Sequence, residues 1–67
     1  MPRFRVVCDW TDDSVEDSDE VQVSAKNAAG ATSKARAVWS STKGAEWPSC
    51  RLTKVWVLTK RRLSRLA

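Results

Sequence analysis

The sequence has no histidine and only two cysteines, two prolines and two glycines among its 67 residues. Without histidine, the chain lacks the side chain that most often acts as a general base near neutral pH. Cys8 and Cys50 are too few, and too far apart in sequence, to form a zinc site without histidine partners. We therefore expect neither a metal centre nor a cofactor.

The motifs of common catalytic sites are missing as well. The chain has no glycine-rich phosphate loop and no serine on a strand-to-helix elbow, and neither cysteine has a recognisable base beside it. The acidic residues between Asp9 and Glu20 depart from the spacing of a calcium-binding loop. These absences predict a protein that binds a macromolecular partner and is not an enzyme. A thiol- or metal-dependent catalyst would instead lose its activity when Cys8 or Cys50 is replaced.

Long hydrophobic runs are absent too. No run approaches the length that spans a membrane, and residues 1–5 lack the apolar stretch of a secretory signal. We expect a protein of the cytoplasm of a bacterial host, without a membrane partner. In a reducing cytoplasm Cys8 and Cys50 are expected to be free thiols; a disulfide is the alternative if the first and last strands are neighbours.

Charge is divided along the chain. The net charge is +4, yet seven of the eight acidic residues fall between Asp9 and Glu20, and ten of the twelve basic residues lie beyond Val21. A basic surface attracts phosphate backbones or acidic protein faces, whereas an acidic segment repels nucleic acid. The division predicts two opposite surfaces and binding from one side.

Alternation of apolar and polar residues predicts the first two strands. Over residues 3–11 the inward positions, with a period of two, are Phe4, Val6, Cys8 and Trp10. Residues 12–19 are almost all Asp, Glu and Ser, which predicts an exposed hairpin loop. Residues 21–25 alternate again and predict a short second strand, antiparallel to the first.

A helix is predicted over residues 28–42, with Asn27 as its N-cap. Its buried stripe comprises Ala31, Ala35, Val38 and Trp39. Gly44 stands where a left-handed residue usually ends a helix. Trp47-Pro48 predicts a loop, because proline restricts the preceding residue to extended conformations.

Residues 51–59 predict the third strand, with apolar residues at both odd and even positions, that is, at both parities of the strand alternation. We place Val55 and Val57 inward, because Lys54 shares a parity with Trp56, and a β-bulge could bring residues of both parities into the core. The predicted fold is α+β: a ββαβ domain over residues 1–59, with a three-stranded antiparallel sheet in the order 2-1-3 and one helix packed on one face. Residues 60–67 form a basic C-terminal tail or a short helix.

This fold predicts three charged sets, each of which solvation alone could also explain. The open face of the sheet, named the basic sheet face, combines charge with an aromatic platform for a base: Arg3, Arg5, Lys54 and Trp56. The acidic segment, expected to bind a partner, is Asp12, Asp13, Glu16, Asp17, Asp19 and Glu20. The tail adds charge that neutralises phosphates: Lys60, Arg61, Arg62 and Arg65. Of the four tryptophans, we place Trp10 and Trp39 in the core, and Trp47 and Trp56 as exposed anchors.

The middle of the chain combines an alternating strand, an alanine-spaced helix and a cysteine-led final strand: Val21-x-Val23-x-Ala25, then Ala31, Ala35 and Trp39, then Cys50-Arg51-Leu52. This pattern resembles small phage accessory proteins, including some type I-F anti-CRISPR proteins. The resemblance covers about two-thirds of the chain and concerns topology more than motifs. It implies a non-enzymatic protein that uses charged sheet or loop residues to occupy the nucleic-acid path of a CRISPR effector.

We therefore expect a binding module that inhibits or modulates a host protein or nucleoprotein complex by occupying its nucleic-acid-binding surface. The acidic segment would engage lysines and arginines that normally hold nucleic acid, and the basic sheet face would supply a second contact. The alternative is a weakly sequence-specific nucleic-acid-binding protein that uses the basic sheet face and the tail. The chain is expected to be a monomer, or a dimer that pairs through an exposed edge strand.

Overall fold

The computed structural model describes residues 1–58, which form three β-strands and one α-helix in the order ββαβ. β1 is Arg3–Asp12, β2 is Val15–Ser24, α1 is Ala28–Trp39 and β3 is Arg51–Leu58. The strands form one antiparallel sheet in the order β2-β1-β3, so the predicted fold class and strand order are confirmed. No helix in this part of the chain has the length and apolarity that crossing a membrane requires.

The hairpin of β1 and β2 is longer than the sequence predicts. All ten residues of β1 pair with β2, and the ladder ends with Asp12 opposite Val15. Only Asp13 and Ser14 connect the strands, and Asp13 has a φ of 56°, a left-handed conformation that aspartate tolerates in tight turns. The prediction of an exposed loop over residues 12–19 is therefore wrong, because pairing with β1 overrides the low strand propensity of Asp, Glu and Ser.

The core lies between the sheet and α1. Its buried residues are Val6, Cys8, Trp10, Val23, Ala25, Ala31, Ala35 and Trp39. The methyl side chains of Ala31 and Ala35 are fully buried, which brings the helix backbone close to the sheet. Val38 is 41% exposed, so its predicted place in the buried stripe is wrong. It lies one residue from Trp39, and successive helical residues are about 100° apart around the axis.

The predicted start of α1 is confirmed. Asn27 has an extended backbone, and its side-chain Oδ1 accepts the Gly30 backbone N–H at 2.9 Å. Its carbonyl accepts the N–H of Ala31 at 3.0 Å, which is the first hydrogen bond of the helical ladder. The cap satisfies a donor that would otherwise lack a partner in the first turn.

The predicted end of the helix at a left-handed Gly44 is wrong. The backbone passes from α1 into a π-helical turn, Ser40–Gly44, and no described glycine has a positive φ. The hydroxyl of Thr42 donates to the Val38 carbonyl at 2.7 Å, which competes with the backbone ladder and favours a wider turn. Gly44 instead allows its backbone to approach the Trp39 ring closely, since a Cβ there would lie 3.1 Å from Cζ3 of Trp39.

β3 contains a β-bulge at Thr53, which has no opposite residue on β1. The bulge shifts the alternation by one residue, so residues of both parities pack against the core. Leu52 does so before the bulge, and Val55 and Val57 do so after it. The prediction that these two valines face inward and that a bulge adds the other parity is confirmed.

Cys8 and Cys50 are free thiols, as expected. Cys50 is level with Asp12, since its Sγ lies 3.9 Å from Oδ2 of that carboxylate. Cys8 lies four positions before Asp12 on the extended β1, which is about 13 Å along the strand. That separation exceeds the reach of a disulfide.

Replacing Asn27 by alanine tests the helix start. We expect the free energy of unfolding to fall by about 1 kcal/mol, because the Gly30 N–H loses its acceptor. Urea denaturation followed by circular dichroism measures this loss. Asn27→Ser is the control and should retain most of the stability, since serine also caps helices; an equal loss in both variants would contradict the capping role.

Candidate functional site

The acidic segment does not form one cluster, because successive strand residues point to opposite faces of the sheet. The β1–β2 register places Glu16 and Glu20 on the open face. It places Asp17 and Asp19 on the face that α1 covers, and the other two acidic residues lie at the hairpin turn. β2 is an edge strand, so both sets border the same edge of the sheet.

Two of these carboxylates form ion pairs with the protein's own side chains. Both oxygens of Glu20 accept hydrogen bonds from Arg5, at 2.8 and 3.1 Å. The hydrogen bond from Arg5 lowers the pKa of Glu20, and the same contact raises the pKa of Arg5. Oδ2 of Asp19 accepts the Trp39 indole N–H at 3.1 Å and lies 4.0 Å from Nζ of Lys43.

The remaining carboxylates have no ion pair with any residue in the range 1–58. They gather at the end of the hairpin and are named the acidic tip: Asp12, Asp13, Glu16 and Asp17. Asp12 is oriented by the Ser49 hydroxyl, which donates to its Oδ2 at 3.1 Å. The acidic surface is thus smaller than the sequence predicts, but an ordered strand and turn position it.

The free edge of β2 is protected against pairing with another strand. In the antiparallel ladder, Ser18 and Ser24 direct backbone groups away from β1. The Ser18 N–H donates to Oδ1 of Asp17 at 2.8 Å, and the Ser24 carbonyl accepts Nζ of Lys34 at 2.6 Å. Together with the acidic side chains, these contacts disfavour dimerisation through β2.

The structure brings the predicted basic sheet face together. Arg3 and Arg5 lie on the open face of β1, where Arg3 also donates to Gln22 at 3.4 Å. Lys54 and Trp56 lie on the same face of β3, on the C-terminal side of the bulge. All four residues that the sequence assigned to this face are therefore on it.

Carboxylates interrupt this face, however. Asp9 lies opposite Lys54, and its Oδ2 accepts the Trp56 indole N–H at 3.1 Å. Nζ of Lys54 lies 5.8 Å from the centroid of the Trp56 ring, and the guanidinium of Arg5 is paired with Glu20. The face is a mixture of both charges, which weakens its attraction for a phosphate backbone.

An apolar crevice of about 260 Å³ adjoins the acidic tip. We name it the Trp47 crevice; its lining residues are Trp10, Asp12, Val15, Lys43, Trp47 and Cys50. Trp47 is 53% exposed and Val15 is 55% exposed, whereas Nζ of Lys43 lies 4.1 Å from the centroid of the Trp10 ring. The buried indole N–H of Trp10 has no acceptor within residues 1–58.

The prediction of Trp47 as an exposed anchor is confirmed, whereas the same prediction for Trp56 is wrong, because Trp56 is half-buried with its N–H bonded to Asp9. Sequence reasoning missed the crevice. Val15 reaches it only because the turn is two residues long, and Lys43 only because the helix continues through the π-helical turn. A second recess, of about 480 Å³, shares Asp12 and is lined also by Thr11, Asp13, Pro48, Ser49 and Arg51. The hairpin turn and the residues before β3 therefore form one irregular end of the molecule.

Neither thiol is activated as a nucleophile. Burial is the main cause that raises the pKa of Cys8. The pKa of Cys50 is also raised, first by desolvation and then by the negative charge of Asp12. Both thiols therefore stay protonated at neutral pH. In the described part of the chain, no three His, Cys, Asp or Glu side chains are arranged to hold a metal ion.

Comparison with known proteins gives no family assignment. No protein-family model, curated protein or solved structure matches the chain. The resemblance to small phage accessory proteins stays a prediction from the sequence. The tail residues lie outside the described part of the chain: Lys60, Arg61, Arg62 and Arg65. A function must therefore be inferred from the charge, exposure and geometry of residues 1–58.

Replacing Arg5 by glutamine should raise the pKa of Glu20 toward its ordinary value, because it removes the main cause of the lowering. An NMR titration of the Glu20 carboxyl group measures this. The folded-state pKa lies below the unfolded one, so the pair stabilises the fold above the ordinary glutamate pKa. That contribution is lost as the pH falls through the folded value. Arg3→Gln, the control, should leave the pKa of Glu20 unchanged; no shift in Arg5→Gln would show that the ion pair is absent in solution.

Proposed function

We propose that this chain is a non-enzymatic binding module that occupies the nucleic-acid-binding surface of a host protein or nucleoprotein complex and so inhibits or modulates it. The acidic tip supports this proposal more than any other feature. Its four carboxylates are held by a hairpin that is paired up to its two-residue turn, and they have no cationic partner among residues 1–58. Lysines and arginines that otherwise contact phosphates are the targets.

The order of the hairpin favours this mechanism. A flexible acidic loop would lose conformational entropy on binding, whereas carboxylates on a paired strand are already positioned. Glu16 and Asp17 are neighbours on β2, so they present one carboxylate to each face of the sheet at its edge.

Direct nucleic-acid binding by the basic sheet face is the second candidate. It ranks second because the charge of that face is mixed. Its support is that Arg3, Arg5, Lys54 and Trp56 share one face, so a base could stack on the ring while the cations contact phosphates. Against it, Glu20 neutralises Arg5 on that same face. The acidic tip would also repel an approaching phosphate backbone.

The concrete form that we propose is an anti-CRISPR-like inhibitor in the cytoplasm of a bacterial host. This step rests on the resemblance described above and on the charge arrangement. The raised pKa of both thiols agrees with a role in binding and not in catalysis. Because the β2 edge is protected, two copies of the chain are not expected to pair through that edge.

Affinity capture from a nuclease-treated bacterial lysate tests the proposal. We expect the wild-type protein to retain a nucleic-acid-binding protein complex, and added single-stranded DNA or RNA to displace it. The triple variant Asp13→Asn, Glu16→Gln, Asp17→Asn should lose this complex, because three of the four carboxylates of its acidic tip are then neutral. The double variant Arg3→Gln, Lys54→Gln is the matched control and should keep it.

Direct nucleic-acid binding would give the opposite pattern. The free protein would then retain labelled oligonucleotides at low salt and lose them steeply as salt rises. Neutralising the acidic tip would strengthen that retention, and the double variant Arg3→Gln, Lys54→Gln would weaken it. Such a result would overturn the proposed function, provided that circular dichroism shows both variants to be folded.

A further inference from the structure

We propose that the Trp47 crevice binds an arginine side chain of the partner, with the Trp47 ring as the stacking surface and Asp12 as the acceptor of the guanidinium. This inference deepens the proposed function and rests on it, since it names the residue type that the crevice takes from a nucleic-acid-binding surface. It concerns one side-chain site, whereas the acidic tip acts as a broader patch of charge.

The exposure of apolar residues marks the crevice as a contact site. Among residues 1–58 the exposed large hydrophobic side chains are Met1, Val15, Val38 and Trp47. Two of these, Val15 and Trp47, line the same crevice. Exposed apolar side chains that gather in one place often mark a binding surface, and tryptophan is prominent among the residues that dominate interfaces. The crevice volume of about 260 Å³ lies below the range for small-molecule pockets and suits a single side chain.

Trp47 is held in place before any partner arrives. Its backbone N–H donates to the Lys43 carbonyl at 2.8 Å, and its own carbonyl accepts the Cys50 N–H at 3.0 Å. Pro48 follows directly and restricts the backbone of Trp47 further. Because both backbone groups are bonded, little backbone entropy remains to be lost when a ligand stacks on the ring.

The charges around the crevice favour a cation. Lys43 is the basic residue in its lining, but Nζ of Lys43 lies against the Trp10 ring and 4.0 Å from Asp19. Arg51 lines the adjoining recess. Against these two cations stand Asp12 in the lining, Asp17 opposite Trp10 on the same face of the sheet, and Asp19, so the local charge is negative. A negative site beside an exposed indole fits a cationic ligand.

Arginine suits this site better than lysine. The planar guanidinium stacks on an aromatic ring and donates two parallel hydrogen bonds to a carboxylate, which an ammonium group cannot reproduce. Asp12 offers such a carboxylate, because the hydrogen bonds from Ser49 and Cys50 both go to Oδ2 and leave Oδ1 without a donor among residues 1–58. The ring and the carboxylate line the same crevice.

The test compares hexa-arginine and hexa-lysine peptides of equal charge, titrated into the isolated full-length protein at one salt concentration. We expect the arginine peptide to bind at least about fivefold more tightly, because only the guanidinium stacks flat on the ring and donates two parallel hydrogen bonds to the carboxylate. NMR of the indole N–H groups should show a shift for Trp47 and none for Trp56, which lies on the opposite face of the sheet.

Three variants assign the effect to the ring and the carboxylate. Trp47→Ala should reduce the preference for arginine to the part that Asp12 supplies, while both peptides still bind through the acidic tip, and Trp47→Phe should restore part of the loss. Asp12→Asn should weaken the arginine peptide more than the lysine peptide. Trp56→Ala is the matched control and should keep the full preference.

Equal affinity for the two peptides, or a preference that is undiminished in Trp47→Ala, would overturn the inference. Tighter binding of a hexa-glutamate peptide would also overturn it, since Lys43 would then be the group that binds the ligand. The proposed function is tested separately by capture of a complex. Arginine preference without a captured complex would refute the proposed function alone, and a captured complex without arginine preference would refute only the arginine site.

Discussion

The contact between Trp39 and β2 determines how the rest of the molecule is arranged. The ring is buried against the sheet, and its N–H donates to Asp19 at 3.1 Å, so burial leaves no unsatisfied donor on this side chain. Trp39 is the last residue of α1, and the π-helical turn begins directly after it. That turn places Lys43 over Trp10 and leads the chain to the Trp47 crevice. The same bond removes Asp19 from the acidic surface.

The fold was predictable where burial on one face controls the sequence pattern. The alternation of β1 and the spacing of Ala31 and Ala35 both reflect that constraint, and the strand order follows from the helical connection between β2 and β3. Prediction of β2 failed over residues 15–20 because acidic residues have low strand propensity, while the energy of pairing with β1 comes from distant residues. The predicted end of α1 was wrong for a similar reason. Gly44 is explained by its close approach to the Trp39 ring, and not by a left-handed turn.

The candidate site was predictable in part. Parity alone placed Arg3, Arg5, Lys54 and Trp56 on one face. Parity could not reveal that Arg5 would pair with Glu20, because the partner depends on the register and on the true length of β2. The Trp47 crevice lay beyond sequence reasoning altogether, since it joins the hairpin turn to the end of the helix. Which charged side chains remain unpaired therefore depends on the strand register of the folded protein.

That register has a further consequence for how the chain reaches its native state. A one-residue slip of β2 would turn Val21 and Val23 to solvent and bring Glu20 and Gln22 beneath α1. The carboxylate of Glu20 would then lose both water and Arg5, which is a large penalty for a buried charge. Misaligned hairpins are thus disfavoured by the charged positions of β2. Glu20, which is paired with Arg5 and lies outside the acidic tip, thus helps to select one strand alignment during folding.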